Sequence, residues 1–302
     1  MIRLHQMARL GASAPLSTLE SLEARREHDA GHFEGRNGYD SSFLDSFPIA
    51  LPGSANESDW VAGRDGKPAV LDYRNFSLVM SRSRRLAVFT ACNIDGHGSE
   101  KNKIKRGRDA WYYDLRIDRK HQIGEELYEG NDLDRGHLVR REDPVWGEHA
   151  AEANDDTFHF TNCSPQYNLV NQQIWLGLEN YILRNARLHR LQATVFTGPV
   201  FRDTDPVYRG VMIPREFWKV VAIVTDGRPS ATAYLVSQEK YLDALEFAFG
   251  RYKTFQVGIR EIERLTGLRF DQLAEHDGFS GEEAATGAPV RTELTSFEAI
   301  RV

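Results

Sequence analysis

The residues of this chain whose types and spacing could do chemistry together are Asp134-Arg135-Gly136-His137, then Phe160-Thr161-Asn162-Cys163-Ser164-Pro165-Gln166, then Asn171 and Glu179. The chemistry they suit is cleavage of a phosphodiester. That reaction needs a base to deprotonate water, a cation for the charge that grows in the transition state, and usually a positive side chain beside the phosphate. A neutral imidazole takes a proton near pH 7 and a metal-bound one does not, so one histidine with an asparagine ligand leaves the base free. Mg2+ accepts such sparse protein ligation because it keeps most of its water shell. A helix is expected from Gln166 to about His189, with apolar residues at Leu169, Ile174, Leu178, Ile182 and Leu183. On that helix Asn171 and Glu179 are eight residues apart, which places them within roughly a quarter turn of one face. Glu179 could then hold metal-bound waters while Asn171 binds the ion directly.

Other readings of the same residues stand beside this one. An Asp-Arg-Gly-His tetrapeptide alone also suits a turn with a capped histidine, and the ordered Asn and Glu behind it carry the weight. Asn162 also reads as a strand-end turn residue, and Asp134 as an acceptor that fixes Arg135 or the loop rather than as a metal ligand. Trp175 reads as core. Cys163 lacks a histidine at the spacing of a cysteine nucleophile. His149, His159 and His189 have no matching partners; His159 reads as a strand-face residue and the other two as surface.

From about Asp72 to Leu273 the sequence resembles the DNA/RNA non-specific endonucleases, a ββα-metal family, on the strength of two motifs. Asp134, Arg135, Gly136 and His137 match its Asp-Arg-Gly-His signature. Thr161, Asn162, Pro165, Gln166, Asn171 and Glu179 match its second signature, which runs from Thr-Asn-x-x-Pro-Gln to an asparagine and a glutamate on a helix. The resemblance implies that His137 is the general base, Asn171 the metal-ligating asparagine, Glu179 the water-holding glutamate and Asn162 an active-site asparagine. It also implies an upstream arginine against the scissile phosphate; Arg108 in Arg-Asp-Ala-Trp is nearest, with Arg106, Arg116 and Arg119 close by. Thr197-Gly198-Pro199 and Phe217-Trp218-Lys219 resemble the family's sheet. The implied reaction is hydrolysis of DNA and/or RNA with Mg2+, or Mn2+ in its place, leaving a 5′-phosphate and a 3′-hydroxyl.

The elements that must position these residues can be read in turn. The 302 residues, 41% hydrophobic and 11% aromatic, suffice for a full core. Residues 1–58 read as an arm or linker, 59–278 as the catalytic domain and 279–302 as a flexible tail. A hairpin is expected from Phe76–Met80 and Leu86–Ile94 around the turn Ser81–Arg85, and a short strand over Thr157–Asn162. Three more strands lie in LQATVFTGPVF, FWKVVAIVTD and SATAYLVS, and helices in Leu242–Tyr252 and Ile259–Leu265. The fold class is α+β: a mixed, mainly antiparallel central sheet flanked by helices.

The net charge of −6 excludes a protein that binds nucleic acid over its whole surface. A local basic face remains. Lys101, Lys103, Lys105, Arg106, Arg108, Arg116, Arg119 and Lys120 cluster around Trp111, Tyr112 and Tyr113, a composition that suits phosphate contact with base stacking and equally a solvated loop. Arg135, Arg140 and Arg141 add charge further on. Cys92 and Cys163 read as ordinary buried thiols. The start of the chain lacks an apolar run of signal length and no stretch would span a bilayer, so a soluble, cytoplasmic protein is expected. A nuclease in that compartment needs restraint, which leaves room for an inhibitor or a larger assembly through the arm, and for a homodimer. A non-cleaving nucleic-acid-binding module would need a lesion at His137 or Asn171, and neither is present; a small-nucleotide phosphodiesterase would need a closed pocket.

Overall fold

The computed structural model describes residues 26–63, 67–99, 104, 110–168, 176–239 and 253–294. In chain order the elements that matter are β1 (Val70–Tyr73), β2 (Phe76–Met80), β3 (Ala87–Asp95), β4 (Leu133–His137), α1 (Ala150–Asp156), β5 (Cys163–Tyr167), α2 (Leu176–Leu188), β6 (Gln192–Val200), β7 (Glu216–Thr225), β8 (Arg228–Ser237), β9 (Lys253–Val257), α3 (Ile259–Thr266), α4 (Ser280–Thr286) and β10 (Arg291–Glu293). Eight of the strands form one sheet in the order β10-β9-β8-β7-β6-β3-β2-β1. Every neighbouring pair in it is antiparallel, so the fold is α+β as expected, and parallel pairing is confined to short contacts outside this sheet.

The central strands are apolar on both sides because both faces of the sheet are covered. Along β7, Phe217 and Val221 belong to the core shared with Leu178, Leu183 and Ala186 of α2. Trp218, Val220 and Ala222 belong to the opposite core, with Ile259 and Ile262 of α3. A strand alternates faces with period two, so Lys219 lies on the α2 side. The β7–β8 hairpin turns at Asp226-Gly227, both with positive φ, the dipeptide favoured where a two-residue turn must follow the strand twist. Cys92 and Cys163 are free and buried. No helix among the described residues is long and apolar enough to cross a membrane.

Three expectations need correction. Residues 26–58 are not a free arm. Glu27–His28 pairs with Tyr113–Asp114 and Gly53–Ser54 with Leu268–Arg269, Phe33, Leu44 and Ile49 are buried, and Arg36 reaches Glu152 and Asp156 of α1. These anchors have no helical or strand period, so the segment reads as a linker. Residues 279–294 are not a loose tail either: Phe279 is fully buried, and α4 leads into β10, which extends the sheet beyond β9. Finally, Thr157–Asn162 is not a strand. Phe160–Asn162 makes a 3-10 turn and the strand follows as β5, with Pro165 tolerated because a two-stranded ribbon leaves one side of each strand unpaired. The expected helix from Gln166 is described from Leu176 onward, and Leu242–Tyr252 lies outside the described residues.

Candidate active site

β4 and β5 form an antiparallel ribbon in the register Asp134↔Gln166, Arg135↔Pro165, Gly136↔Ser164 and His137↔Cys163. The ribbon explains the glycine in the tetrapeptide. The buried Gln166 side chain lies over Gly136, and a Cβ there would overlap its carboxamide. His137 ends the strand, its ring 4.6 Å from that of Trp111 and 5.0 Å from that of Phe158, the latter edge-on at 86°. Two aromatic walls therefore fix the imidazole plane. Arg135 donates through Nη1 to Glu125 Oε1 at 2.6 Å, and its guanidinium lies 5.8 Å from the Tyr128 ring. The pair is partly exposed, so it orients Arg135 more than it stabilises the fold.

Asn162 is fully buried, and its carboxamide is committed to the backbone. Its Oδ1 accepts from Val139 N at 2.9 Å, and its Nδ2 donates to Val139 O at 2.9 Å and Thr157 O at 3.0 Å. Leu138 N also donates to Asn162 O at 2.9 Å. Asn162 thus holds the turn immediately after His137, acting through the backbone. One step further on, Arg140 Nη2 donates to Asn180 Oδ1 of α2 at 2.8 Å, which ties the same turn to the helix carrying Glu179.

Glu179 is buried and its Oε1 lies 3.4 Å from Nζ of Lys219, which is itself fully buried on β7 and donates to Thr197 Oγ1 at 2.9 Å. Buried charge persists only when paired and hydrogen-bonded, and the ammonium supplies that pairing. Burial pushes the Glu179 carboxyl up to about 7, with Lys219 pulling it down and Asp143 pushing it further up. Burial raises the Asp143 carboxyl as well, against the pull of Lys219 and Arg140. A buried cluster of two carboxylates around one lysine thus lies behind α2. The sequence reading missed Lys219 and Asp143 as part of this set. A lysine inside the apolar run FWKVVAIV is the signal for the first, since a central strand offers it no exit to water.

The basic loop is only partly described. Lys101, Lys103, Lys105, Arg106 and Arg108 lie outside the described residues, as does Asn171. Within them, Arg116 is turned inward: Nη2 donates to Asp114 Oδ2 at 2.7 Å, and the guanidinium lies 3.7 Å from the Phe33 ring. Arg119 pairs with Glu27 and Lys120 with Asp118. Trp111 and Tyr113 are buried, so the expected base stacking on them is corrected: Trp111 packs on His137 instead. The described candidates are thus a strand end (His137), a backbone clamp behind it (Asn162) and, on the helix that Arg140 ties to the same turn, a buried carboxylate (Glu179).

The family of DNA/RNA non-specific endonucleases matches residues 61–277. The chain belongs to that family. An uncharacterized protein, y4fB, of Sinorhizobium fredii is 42% identical over 317 residues, covering 93% of this chain and 46% of that protein. Mitochondrial endonuclease G of Bos taurus is 28% identical over 163 residues, covering 50% of this chain and 52% of that one. The chain therefore spans about half the length of these relatives. In three dimensions it resembles a chain of the solved EndoG/EndoGI complex, with a TM-score of 0.57 at 16% identity over 77% of this chain and 91% of the other. At that identity the likeness speaks for the fold.

Proposed function

We propose that this chain is a metal-dependent, sequence-non-specific endonuclease that hydrolyses phosphodiester bonds of DNA and/or RNA, with His137 as general base. The observation that carries the reading is the β4–β5 ribbon, which ends on an imidazole held by aromatic walls and is stitched through Asn162, and through Arg140 to Asn180, to the helix of Glu179. His137 takes the proton of the attacking water. Asn162 keeps the turn behind His137 in place, and Asp134 and Arg135 occupy the same strand, Arg135 at the rim where a phosphate would meet it. Arg108 contributes a second positive charge upstream. Contacts to phosphate carry no base identity, so cleavage is insensitive to sequence.

The donor set fits a hard ion. The carboxylate of Glu179 is buried on α2, and Asn171 lies eight residues before it in the sequence; amide and carboxylate oxygens suit Mg2+ or Mn2+ rather than a soft ion. Asn171 would hold the ion and Glu179 its waters. When bound, such an ion supplies positive charge for the developing phosphorane and leaving oxygen.

The test is plasmid cleavage by the purified protein and by His137→Ala, with and without EDTA, beside a small phosphodiester substrate. Loss of a general base should cost on the order of 10²–10⁴-fold in rate at an unchanged melting temperature, with partial recovery in added imidazole. Cleavage by the variant within about tenfold of wild type would remove His137 from this role. Preference for the small diester over plasmid would replace the endonuclease reading by a phosphodiesterase.

A further inference from the structure

We propose that His28, His32 and His159 form a zinc site, separate from the catalytic centre, that clips residues 27–37 onto the nuclease body. One nitrogen from each ring lies within 4.8 Å of the others. The nuclease signature uses none of the three. His159 turns away from the catalytic side: its ring packs 5.1 Å from Phe33 and 5.3 Å from Tyr73, whereas the preceding Phe158 faces His137.

The cluster is built as a ligand set. His159 is fully buried, and its Nδ1 lies 2.8 Å from the Asp156 carbonyl oxygen. A carbonyl accepts only, so Nδ1 carries the proton and Nε2 presents its lone pair, the arrangement by which an outer partner orients a metal-bound histidine. That Nε2 accepts from His28 Nδ1 at 2.9 Å, so an ion would replace this hydrogen bond, with the His28 proton moving to its Nε2. His28 and His32 are four residues apart around the 3-10 turn Ala30–Phe33, and Asp29 caps the turn by accepting from His32 N at 3.2 Å, so both rings reach the same side.

The His28 ring is sandwiched, 4.2 Å from Tyr112 on one side and 3.6 Å from His32 on the other. Two stacked imidazoles cannot aim their lone pairs at one ion, so binding would rotate the exposed His32 ring off its stack on His28 and away from Asp156. The Asp114 and Asp156 carboxylates nearby are already paired with Arg116 and Arg36, so the ligand atoms of the site are the three ring nitrogens.

Three imidazoles select a borderline ion such as Zn2+ over Mg2+, with one coordination position left to water. The ion would bridge ring nitrogens 131 residues apart. It would thereby add a crosslink to a segment already attached by a two-residue parallel strand, by Arg36 on α1, by the buried Phe33 and by the Glu27–Arg119 pair.

The experiment measures zinc content after dialysis against low micromolar zinc, and melting temperature with and without zinc. The proteins compared are wild type, Asn171→Ala and the double variant His28→Ala/His32→Ala, which keeps the buried His159. Wild type and Asn171→Ala should each retain one zinc per chain and melt higher with it, and Co2+ in its place should give the visible bands of a four-coordinate site. The double variant should lose the zinc, the bands and the melting shift while cutting plasmid with Mg2+ at a rate within a few-fold of wild type. Should the double variant fail to fold, His32→Gln, at an exposed position, should bind zinc at least tenfold more weakly. Equal zinc content and equal melting shift in wild type and the histidine variants would overturn the site, as would wild type that retains no zinc.

Discussion

Two clusters of buried ionisable side chains sit on this protein and answer burial in opposite ways. Behind α2, Glu179 and Asp143 are driven toward their neutral acids while Lys219 supplies the counter-charge. Between the N-terminal segment and the body, His28 and His159 are driven toward their neutral bases. Desolvation is the leading cause in both, and it always disfavours the charged form. What differs is the lattice of contacts. Glu179 on a long helix and Asp143 in the turn after β4 are gathered toward a lysine that a central strand holds in the core. The imidazoles are gathered by two distant chain segments, His28 stacked on His32 in one and His159 tilted against them from the other. The first arrangement preserves a charged group at a site that needs one; the second keeps lone pairs available.

The comparison can be broken most decisively through activity. On the proposed mechanism, Asn171→Ala should abolish cleavage at ordinary Mg2+, because Asn171 would be the direct ligand. Glu179→Ala, acting through water, should reduce cleavage less, on the order of 10–100-fold, and should recover partly as metal is raised. Rates over a Mg2+ titration check the ordering, and near-wild-type activity of Asn171→Ala would sink it. Salt-bridge geometry gives the next effect. Lys219→Met leaves Glu179 and Asp143 buried without their cation and should cost about 3–5 kcal/mol in urea unfolding; a loss below about 1 kcal/mol would mean that the lysine is not what balances the cluster.

Gly136→Ala should cost about 1–3 kcal/mol by overpacking against Gln166, with the loss largely recovered in Gly136→Ala/Gln166→Ala, since neighbours in contact do not add. A strictly additive double variant would show that the close approach is not the reason for the glycine.

The smallest effect is in pH, measured on EDTA-treated protein. A carboxyl raised to about 7 contributes stability that is full below about 4.5 and lost as pH rises through 7. Imidazoles lowered to about 3 and 4 contribute stability that is full above about 6.5 and lost as pH falls. The groups facing Glu179 are Lys219, Asp143 and Arg140, and those facing His28 are His32, Asp114, Arg36 and Asp29. Between about 4.5 and 6.5 the two trends oppose each other. Relative to wild type, Glu179→Gln should therefore lose stability on acidification and His28→Gln should lose it on raising the pH. Parallel curves for all three proteins would show that neither cluster titrates as its surroundings dictate.

Much of the ribbon was legible in the sequence because its logic is local. Asp134 to His137 and Thr161 to Gln166 each lie within a few residues, and the α+β pattern follows from the apolar runs that became β2, β3, β6, β7 and β8. The strand placed at Thr157–Asn162 failed for a local reason as well: aromatic and threonine residues there resemble a strand, while Pro165 inside the true one does not. The histidine set was out of reach, since His28 and His32 meet His159 only after the chain has closed a long loop, and no period in the sequence records that pairing. Lys219 stood between, visible as an anomaly in an apolar run but without its partner until α2 was packed against β7.

The outermost strand of the sheet is three residues long, Arg291-Thr292-Glu293, charged at both ends and laid along Phe255, Gln256 and Val257. Its brevity and charge make a poor template for another chain, whereas the strand it covers is longer and carries Phe255 and Val257. A chain ending before Arg291 would uncover the backbone N–H and C=O groups of β9 that this strip pairs, and it should pass into higher oligomers on gel filtration while the intact chain does not. Residues 291–293 are thereby expected to discourage pairing of one copy of the sheet with another at this edge.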